Sequence, residues 1–168
     1  NTRQLRQNFL GTQMMYVPEV YTDSKDVLVA ERITGVPVSD LATFEQLGMD
    51  RAQLGELGLR IFFTQVFRDN FFHADMHPGN VFVETLNPAQ PRFIALDCAI
   101  MGELSDTDRL TVARMLLSVM QSNFSQLIQI LHQAGWIPPN TDQAALSREM
   151  RRVVGPMVSK PMDQLDFA

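Results

Sequence analysis

The sequence predicts an α+β fold in which helices predominate. Two pairs of short strand-like runs are typical of β-hairpins, and longer stretches repeat apolar residues at helical spacing. The predicted order is helix, hairpin, helix, loop, hairpin and then helices. Strands that cluster in hairpins, without a helix after each one, are typical of α+β rather than α/β architecture.

The first part of the chain supplies one helix, one hairpin and a longer helix. Residues 2–10 have the pattern of an amphipathic helix, which Gly11 is expected to end. The runs at 16–21 and 27–33 are separated by the polar stretch TDSKD and predict an antiparallel hairpin. Apolar residues that recur at helical spacing predict a largely buried helix over 50–69.

A second hairpin and three helices are predicted for the remainder. The runs NVFVET and RFIALD are strand-like, and the two prolines of LNPAQP mark an exposed turn between them. Ser105 or Asp106 can then cap a helix. Apolar stripes predict a second helix around 124–131 and a third over 142–154.

Composition narrows the class of protein. The 168 residues are 45% hydrophobic and 20% charged, which favours a soluble globular domain with a sizeable core. The net charge of -5, without a run of lysine and arginine, argues against nucleic-acid binding. The single cysteine, Cys98, excludes an internal disulfide, and we expect it to be a small buried hydrophobe. No apolar run reaches the roughly 20 residues that span a bilayer.

The stretch HADMHPGN, directly after the long helix, gathers side chains that can bind metal or move protons. They are His73, Asp75, His77 and Asn80. A polar turn between core elements is the simplest interpretation. However, Asp97 ends the apolar run RFIALD of the next hairpin, where we expect a buried carboxylate that is costly without a cation.

A zinc hydrolase is one functional alternative. His73, Asp75 and His77 alternate along the segment, so an extended backbone would put them on one face. A catalytic zinc site usually takes further ligands from elsewhere, and the remaining histidine, His132, falls within a predicted helix. The pattern therefore has little support from the rest of the chain.

Phosphoryl transfer is the alternative that accounts for more of these residues. Asp75 precedes Asn80 by five positions, as in the His-x-Asp-x-x-x-x-Asn pattern of kinase catalytic loops. The aspartate of such a loop faces the acceptor hydroxyl or water, and the asparagine holds a metal ion on the nucleotide phosphates. Asp97 can add a carboxylate ligand, because magnesium prefers carboxylate and amide oxygens.

At these residues the sequence resembles a known family. FFHADMHPGNVFV and IALDCAIMG are similar to the signature of the UbiB family, the atypical protein-kinase-like proteins of ubiquinone biosynthesis, also called ABC1 or ADCK-type. Further segments similar to the family are VPEVY, VLVAERITGVPVSD and GWIPP, so the resemblance spans nearly the whole chain.

The resemblance implies a protein-kinase-like fold. The fold would have a mostly helical carboxy-terminal lobe and two short β-hairpins. Residues 34–168 would form this lobe, and residues 1–33, with the helix end and the first hairpin, would be a remnant of an amino-terminal lobe that is largely missing. It also implies roles for individual residues. Asp75 would be the catalytic-loop aspartate, and Asn80 and Asp97 the magnesium ligands. The remaining roles are the hinge that meets adenine, at Glu31 and Arg32, and structural support of the loop by His73, His77 and Pro78.

Other family features are not found in the sequence. These are the amino-terminal Lys-x-Gly-Gln motif, the alanine-rich phosphate loop, the strand lysine with its glutamate partner, and the membrane-associated helices. Lys25 lies in a hairpin turn and Lys160 near the end, so neither is expected to contact phosphate. We therefore expect a segment of a longer protein that is inactive by itself and leaves Val27 and Val29 exposed.

The resemblance implies that the full-length protein is an atypical kinase or ATPase that binds ATP or ADP with Mg²⁺ and supports ubiquinone biosynthesis. Its implied partners are the nucleotide, lipid quinone intermediates and other ubiquinone-biosynthesis proteins. Membrane association would use segments outside this chain, at the cytoplasmic face of a bacterial inner membrane or in mitochondria. Two alternatives remain open: a small-molecule kinase of the aminoglycoside or choline type, and a nucleotide-binding pseudokinase scaffold without catalysis.

Overall fold

The computed structural model describes the backbone of residues 1–158 and the side chains of residues 1–156. The chain forms two compact units, Asn1–Glu103 and Leu104–Ala168. This division differs from the predicted boundary between lobes at residue 33, which stays a prediction. Residues on both sides of position 33 share the core of the first unit.

The first unit combines three α-helices with eight short strands. Its elements are α1 (Thr2–Phe9), β1 (Met15–Tyr16), β2 (Val20–Asp23), β3 (Leu28–Ala30), β4 (Val36–Pro37), α2 (Leu41–Gln46), α3 (Arg51–Phe63), β5 (Phe72–His73), β6 (Val81–Glu84), β7 (Arg92–Ala95) and β8 (Met101–Gly102). A π-helical segment, Thr64–Asp69, continues α3, and a 3₁₀ turn, Pro78–Asn80, precedes β6.

Strands β1, β7, β6 and β4 form one four-stranded sheet in that order, and two strand pairs, β2–β3 and β5–β8, stand apart from it. The predicted second hairpin is confirmed, because β6 and β7 pair in antiparallel register from Val81↔Ala95 to Glu84↔Arg92. The predicted α1 helix is also confirmed, and Gly11 follows it with a φ of 78° that favours glycine.

The first hairpin is confirmed in part. β2 and β3 pair in antiparallel orientation, but Tyr16 belongs to β1, which runs parallel to β7. Pro18 lies between the two strands and has no N–H to donate, which separates Tyr16 from the strand that begins at Val20. Residues 31–33 form no strand, although the sequence predicts one there.

The long helix is confirmed, but its predicted burial is wrong for the aromatic residues. Phe62 and Phe63 are 47% and 39% exposed. The inner face carries Leu54, Ile61 and Gln65 instead, which are spaced seven and four residues apart. The two phenylalanines lie one and two positions after Ile61, so the helical turn carries them away from the core.

One hydrophobic core holds the first unit together. Leu5 of α1 and Phe44 of α2 are fully buried. Burial of such a side chain stabilises a fold by about 1.5–3 kcal/mol. The other buried members of this core are Phe9, Met15, Val17, Met49, Leu54, Ile61, Val81, Val83, Phe93, Ala95 and Cys98.

Three helices make up the second unit: α4 (Asp106–Met120), α5 (Phe124–Gln133) and α6 (Gln143–Val158). Ser105 caps α4 as the sequence predicts, since its hydroxyl accepts a 3.1 Å hydrogen bond from the backbone N–H of Asp108. α5 packs against both neighbours and buries Phe124, Leu127 and Ile128. Within the part of the chain that the structure describes, no helix is both long and apolar enough to cross a membrane.

Candidate functional site

The β6–β7 hairpin brings Asn80 and Asp97 to one end of the sheet. Asn80 immediately precedes β6, and Leu96 immediately follows β7. The backbone N–H of Leu96 donates a 2.8 Å hydrogen bond to the carbonyl oxygen of Asn80. Asp97 is the next residue, so an amide side chain and a carboxylate belong to adjoining strand ends.

The β5–β8 pair connects the loop that contains Asp75 to the segment that follows Asp97. Its register is Phe72↔Gly102 and His73↔Met101. The backbone N–H of Ala74 extends the pairing with a 3.0 Å hydrogen bond to the carbonyl oxygen of Ile100. The loop that contains Asp75 and the turn at Leu96 and Asp97 are therefore linked through the β5–β8 pair, in addition to the β6–β7 hairpin.

His73 links the loop to the turn a third time. Its side chain is buried, at 6% exposure. The ring Nδ1 accepts a 3.2 Å hydrogen bond from the backbone N–H of Asp75, and Nε2 lies 3.2 Å from the carbonyl oxygen of Leu96. Because Nδ1 accepts, the proton of the neutral ring is assigned to Nε2, which donates to Leu96. One imidazole thus contacts the backbone on both sides of the site.

His77 and Pro78 shape the turn between Asp75 and Asn80. The ring Nδ1 of His77 accepts a 3.0 Å hydrogen bond from the backbone N–H of Gly79, and its carbonyl accepts one of 2.8 Å from Asn80. Pro78 occupies the first position of the 3₁₀ turn, where an N–H would have no partner within the turn.

Three side chains of this site remain free to bind a ligand. Asp75 and Asp97 are exposed and Asn80 is half-buried. In the described residues, no side-chain hydrogen bond or ion pair engages any of the three. A carboxylate and an amide oxygen form a donor set that suits Mg²⁺, so the residues present fit the metal that the resemblance implies.

The predicted burial of Asp97 is wrong. The chain leaves β7 after Ala95, and Asp97 adopts a left-handed conformation with a φ of 50°. This turn takes the carboxylate out to solvent, so the expected cost of a buried charge does not arise. The case for a metal at Asp97 therefore depends on its position beside Asn80. Cys98, the next residue, is buried as predicted, and burial raises the pKa of its thiol.

The zinc hypothesis finds no ligand cluster. Within residues 1–158, no group of three or more histidine, cysteine, aspartate or glutamate side chains is arranged to hold a metal ion. Both ring nitrogens of His73 already contact the backbone, and Nδ1 of His77 accepts from Gly79. These contacts explain the two histidines as supports of the loop.

The predicted hinge residues differ in their surroundings. The Glu31 carboxylate accepts hydrogen bonds from the Tyr16 hydroxyl and, at 3.2 Å, from the backbone N–H of Glu19. The bond from Tyr16 is the main reason that the pKa of Glu31 is lowered. Its own N–H donates to the Glu19 carbonyl at 2.8 Å, while Arg32 is exposed. No described hydrogen bond or ion pair joins Glu31 or Arg32 to Asp75.

A cavity of about 40 Å³ lies beside the loop, lined by Met76 of the loop and by core residues such as Ile61 and Phe93. Ligand pockets for small molecules usually have volumes of about 300–1,000 Å³. This cavity is therefore far too small for a nucleotide. It is a gap in the packing beneath the loop, and it adds no binding residue to the site.

Sequence reasoning missed one residue that contacts the site. Gln65 is only 3% exposed, and its Oε1 accepts a 2.9 Å hydrogen bond from the backbone N–H of His73. One signal could have identified it, because Gln65 is a polar residue at a position that the helical repeat assigns to the buried face. Such a position usually requires a hydrogen-bond partner.

Residues 1–131 match the ABC1 atypical kinase-like domain. This chain belongs to the ABC1/UbiB family of atypical kinase-like proteins. It is 45% identical over 169 residues to a probable protein kinase UbiB of Pseudomonas entomophila (strain L48), and 43% identical to one of Erwinia tasmaniensis. Each match covers 99% of this chain but only 32% and 31% of the relative. The chain thus spans about a third of the length of these UbiB proteins.

A solved structure supports the fold of this family member. Rv3197 of Mycobacterium tuberculosis, determined in complex with erythromycin, superposes with a TM-score of 0.63 over all of this chain and 45% of its own. The sequence identity is 19%, so the likeness concerns the fold. Together with the family match, it confirms the predicted kinase-like α+β fold.

Proposed function

We propose that this chain is part of a UbiB-type atypical kinase or ATPase, and that it supplies the residues that hold magnesium and face the phosphates of ATP or ADP. The observation that carries the proposal is the hydrogen bond from Leu96 to Asn80. This hydrogen bond places the side-chain amide of Asn80 and the carboxylate of Asp97 at adjoining strand ends. The family is described as atypical kinase-like, which fits a site of this kind.

Each residue of the site has a proposed task. The side-chain oxygen of Asn80 and the carboxylate of Asp97 would hold Mg²⁺. When bound, the metal neutralises charge on the phosphate oxygens. Asp75 would accept a hydrogen bond from the hydroxyl or water that attacks, and so orient it. Its carboxylate is suited to this task because it is exposed and has no partner in the described residues.

The supporting residues keep these groups in place. His73 holds the backbone of Asp75 and of Leu96, and His77 with Pro78 shapes the turn that ends at Asn80. Phosphoryl transfer depends mainly on positioning and on charge stabilisation, so a fixed loop is as necessary as the ligands themselves. The hinge at Glu31 and Arg32 would contact the adenine through backbone groups.

The relatives bear the name UbiB, which supports a role for the whole protein in ubiquinone biosynthesis. Its further partners would be lipid quinone intermediates and other proteins of that pathway. Segments outside this chain would attach it to the cytoplasmic face of a bacterial inner membrane, or to a mitochondrial membrane in a eukaryote. Nothing in the acidic composition favours a nucleic-acid partner.

The proposal is tested by ATP hydrolysis and ADP binding in the whole protein, with and without magnesium. We expect magnesium-dependent hydrolysis that falls by about 10²–10⁴-fold in Asp75→Asn, with ADP affinity preserved, because the carboxylate acts on the acceptor. Asp26→Asn is the matched control, since Asp26 is an exposed aspartate in the β2–β3 turn.

Other outcomes identify the alternatives. Magnesium-dependent binding without turnover would favour a pseudokinase scaffold. Phosphorylation of an aminoglycoside or of choline, at a rate above that of ATP hydrolysis, would favour a small-molecule kinase. Absence of magnesium-dependent nucleotide binding would contradict the proposal itself.

A further inference from the structure

Gln65 is a buried polar residue whose two oxygen atoms accept hydrogen bonds from the segment that enters the loop. It lies in the π-helical stretch Thr64–Asp69, at the end of α3. Its backbone carbonyl accepts hydrogen bonds from the N–H groups of Asn70 and, at 3.0 Å, of Phe71. Its side-chain Oε1 accepts the N–H of His73 at 2.9 Å. One residue thus binds three backbone amides within four positions.

The π-helical winding explains how Gln65 reaches this segment. A π-helical turn joins residues five apart, in contrast to the four of an α-helix, and π-segments are frequent at functional sites. Here the winding ends at Asn70, whose φ of 47° reverses the chain direction. The reversal returns His73 to the side of the helix on which the Gln65 carboxamide is buried.

The hydrogen bonds continue from Gln65 to the site through His73. The backbone of His73 is held by Gln65, while its ring holds the N–H of Asp75 and the carbonyl of Leu96. Gln65 itself makes no described contact with Asp75 or Asp97. The described side-chain hydrogen bonds therefore connect Gln65 to those residues through His73.

We propose that Gln65 is a positioning residue for phosphoryl transfer: it fixes the backbone of His73, and through the His73 ring it aligns Asp75 with the Leu96–Asp97 turn. The inference rests on the proposed function for the reaction that is aligned. The hydrogen-bonded arrangement itself can be tested without any activity.

Three substitutions separate the acceptor from the volume of the side chain. Gln65→Met keeps the length and removes the acceptor, and it leaves the buried N–H of His73 without a partner. Gln65→Glu keeps an acceptor oxygen at the same position. Gln65→Asn retracts the acceptor by one methylene. Gln53→Met is the control, because Gln53 is exposed on α3 and its side chain makes one hydrogen bond among the described residues, to the carbonyl of Ala89 at 3.4 Å.

Two measurements on the whole protein test whether Gln65 positions His73 and Asp75. Steady-state kinetics should show that kcat for magnesium-dependent ATP hydrolysis falls at least about tenfold in Gln65→Met and Gln65→Asn, with KM for ATP little changed. Misplacement of a reacting group by about 1 Å can reduce the rate by about 10²-fold. Hydrogen exchange at single-residue resolution should show faster exchange at the amides of His73 and Asp75 in Gln65→Met and Gln65→Asn, but not in Gln65→Glu.

The two measurements distinguish failure of this inference from failure of the proposed function. If the wild-type protein shows no nucleotide turnover, the proposed function fails, and exchange at His73 and Asp75 still tests the arrangement. Wild-type exchange and kcat in folded Gln65→Met or Gln65→Asn would overturn the inference. A folded Gln65→Glu in which the His73 amide exchanges as fast as in Gln65→Asn would also overturn it, even if Gln65→Met does not fold.

Discussion

The backbone N–H of Leu96 donates to the carbonyl oxygen of Asn80 at 2.8 Å, one residue beyond the last strand pair, Val81↔Ala95. The register of the β6–β7 hairpin therefore decides which side chains face each other at its open end. A slip by one residue would turn side chains to the opposite face of the sheet. The position of Asp97 beside Asn80 is thus a property of the hairpin as a whole.

Substitution of Gly102 should weaken the second link between loop and turn. A Cβ at Gly102 would lie 2.6 Å from Cζ of Phe72, its partner in β5–β8, so the ring or the strand must shift. Overpacking of this kind typically costs about 1–3 kcal/mol. We expect Gly102→Ala to lower the free energy of unfolding by about this amount, measured by urea denaturation.

Two controls accompany this prediction. Gly55→Ala, in the interior of α3 where a Cβ meets no atom within 4 Å, should instead stabilise the protein by about 0.5–1 kcal/mol. Phe72→Leu combined with Gly102→Ala should recover part of the loss, because the ring that clashes is gone. Equal effects of the two alanine substitutions would show that the contact with Phe72 has no energetic consequence.

Tyr16→Phe should raise the pKa of Glu31. The Tyr16 hydroxyl is the main cause of the lowered pKa of this carboxyl. A lowered pKa in the folded state stabilises the fold above the usual glutamate pKa, and this contribution is lost as the pH falls through the lowered value. Without the hydroxyl, the stability of the variant should depend less on pH in this acidic range.

Carboxyl ¹³C NMR titration of Glu31 and acid denaturation together check this prediction. Tyr21→Phe is the control, since Tyr21 is 62% exposed and donates no hydrogen bond to Glu31. An unchanged Glu31 pKa in Tyr16→Phe would contradict the assigned cause.

His77→Ala should disturb the loop without altering the metal content. The substitution removes the ring that accepts from the N–H of Gly79, so we expect slower nucleotide hydrolysis and an unchanged number of bound magnesium ions. His77→Asn should be milder, because an asparagine side chain can accept from the backbone N–H two residues on. Metal analysis of both variants is the measurement, and loss of bound zinc would instead support the hydrolase alternative.

The sequence predicts the hairpin that joins Asn80 to Asp97, but it does not predict which side chains are buried. The spacing of Asp75 and Asn80 and the strand-like runs around Asp97 are local patterns, and the hairpin that unites them needs only one short turn. By contrast, the exposure of Asp97 depends on its left-handed backbone conformation, which no pattern in RFIALD indicates. Exposure of Phe62 likewise depends on which neighbours cover α3.

Contacts between residues far apart in the chain cannot be predicted from local sequence patterns. The parallel pairing of β1 with β7 joins residues about 80 positions apart in the sequence, such as Tyr16 and Ile94. The hydrogen bond from His73 to Gln65 depends on a π-helical turn that has no distinct sequence pattern. The predicted exposure of Val27 and Val29 is confirmed, at 58% and 43%.

The 168-residue chain by itself should show little turnover. Its sequence has no Gly-x-Gly, and we do not expect either of its two lysines, Lys25 and Lys160, to contact phosphate. The exposed carboxylates of Asp75 and Asp97 would act in water, where each electrostatic contact contributes little. An ATPase assay of this chain beside the whole protein, with excess magnesium, is the test. Comparable rates would show that the chain alone contains every group that the reaction needs.

The most direct test of the central claim is the magnesium dependence of ADP binding in wild-type protein and in Asp97→Asn. Asparagine tolerates the left-handed conformation found at position 97, where φ is 50°, so the substitution removes charge without adding backbone strain. Isothermal titration calorimetry with and without magnesium, with Asp26→Asn as control, measures the effect. We predict that magnesium strengthens ADP binding in the wild type and the control, and that this enhancement is lost in Asp97→Asn. An enhancement equal to that of the wild type would contradict the assignment of Asp97 as a magnesium ligand.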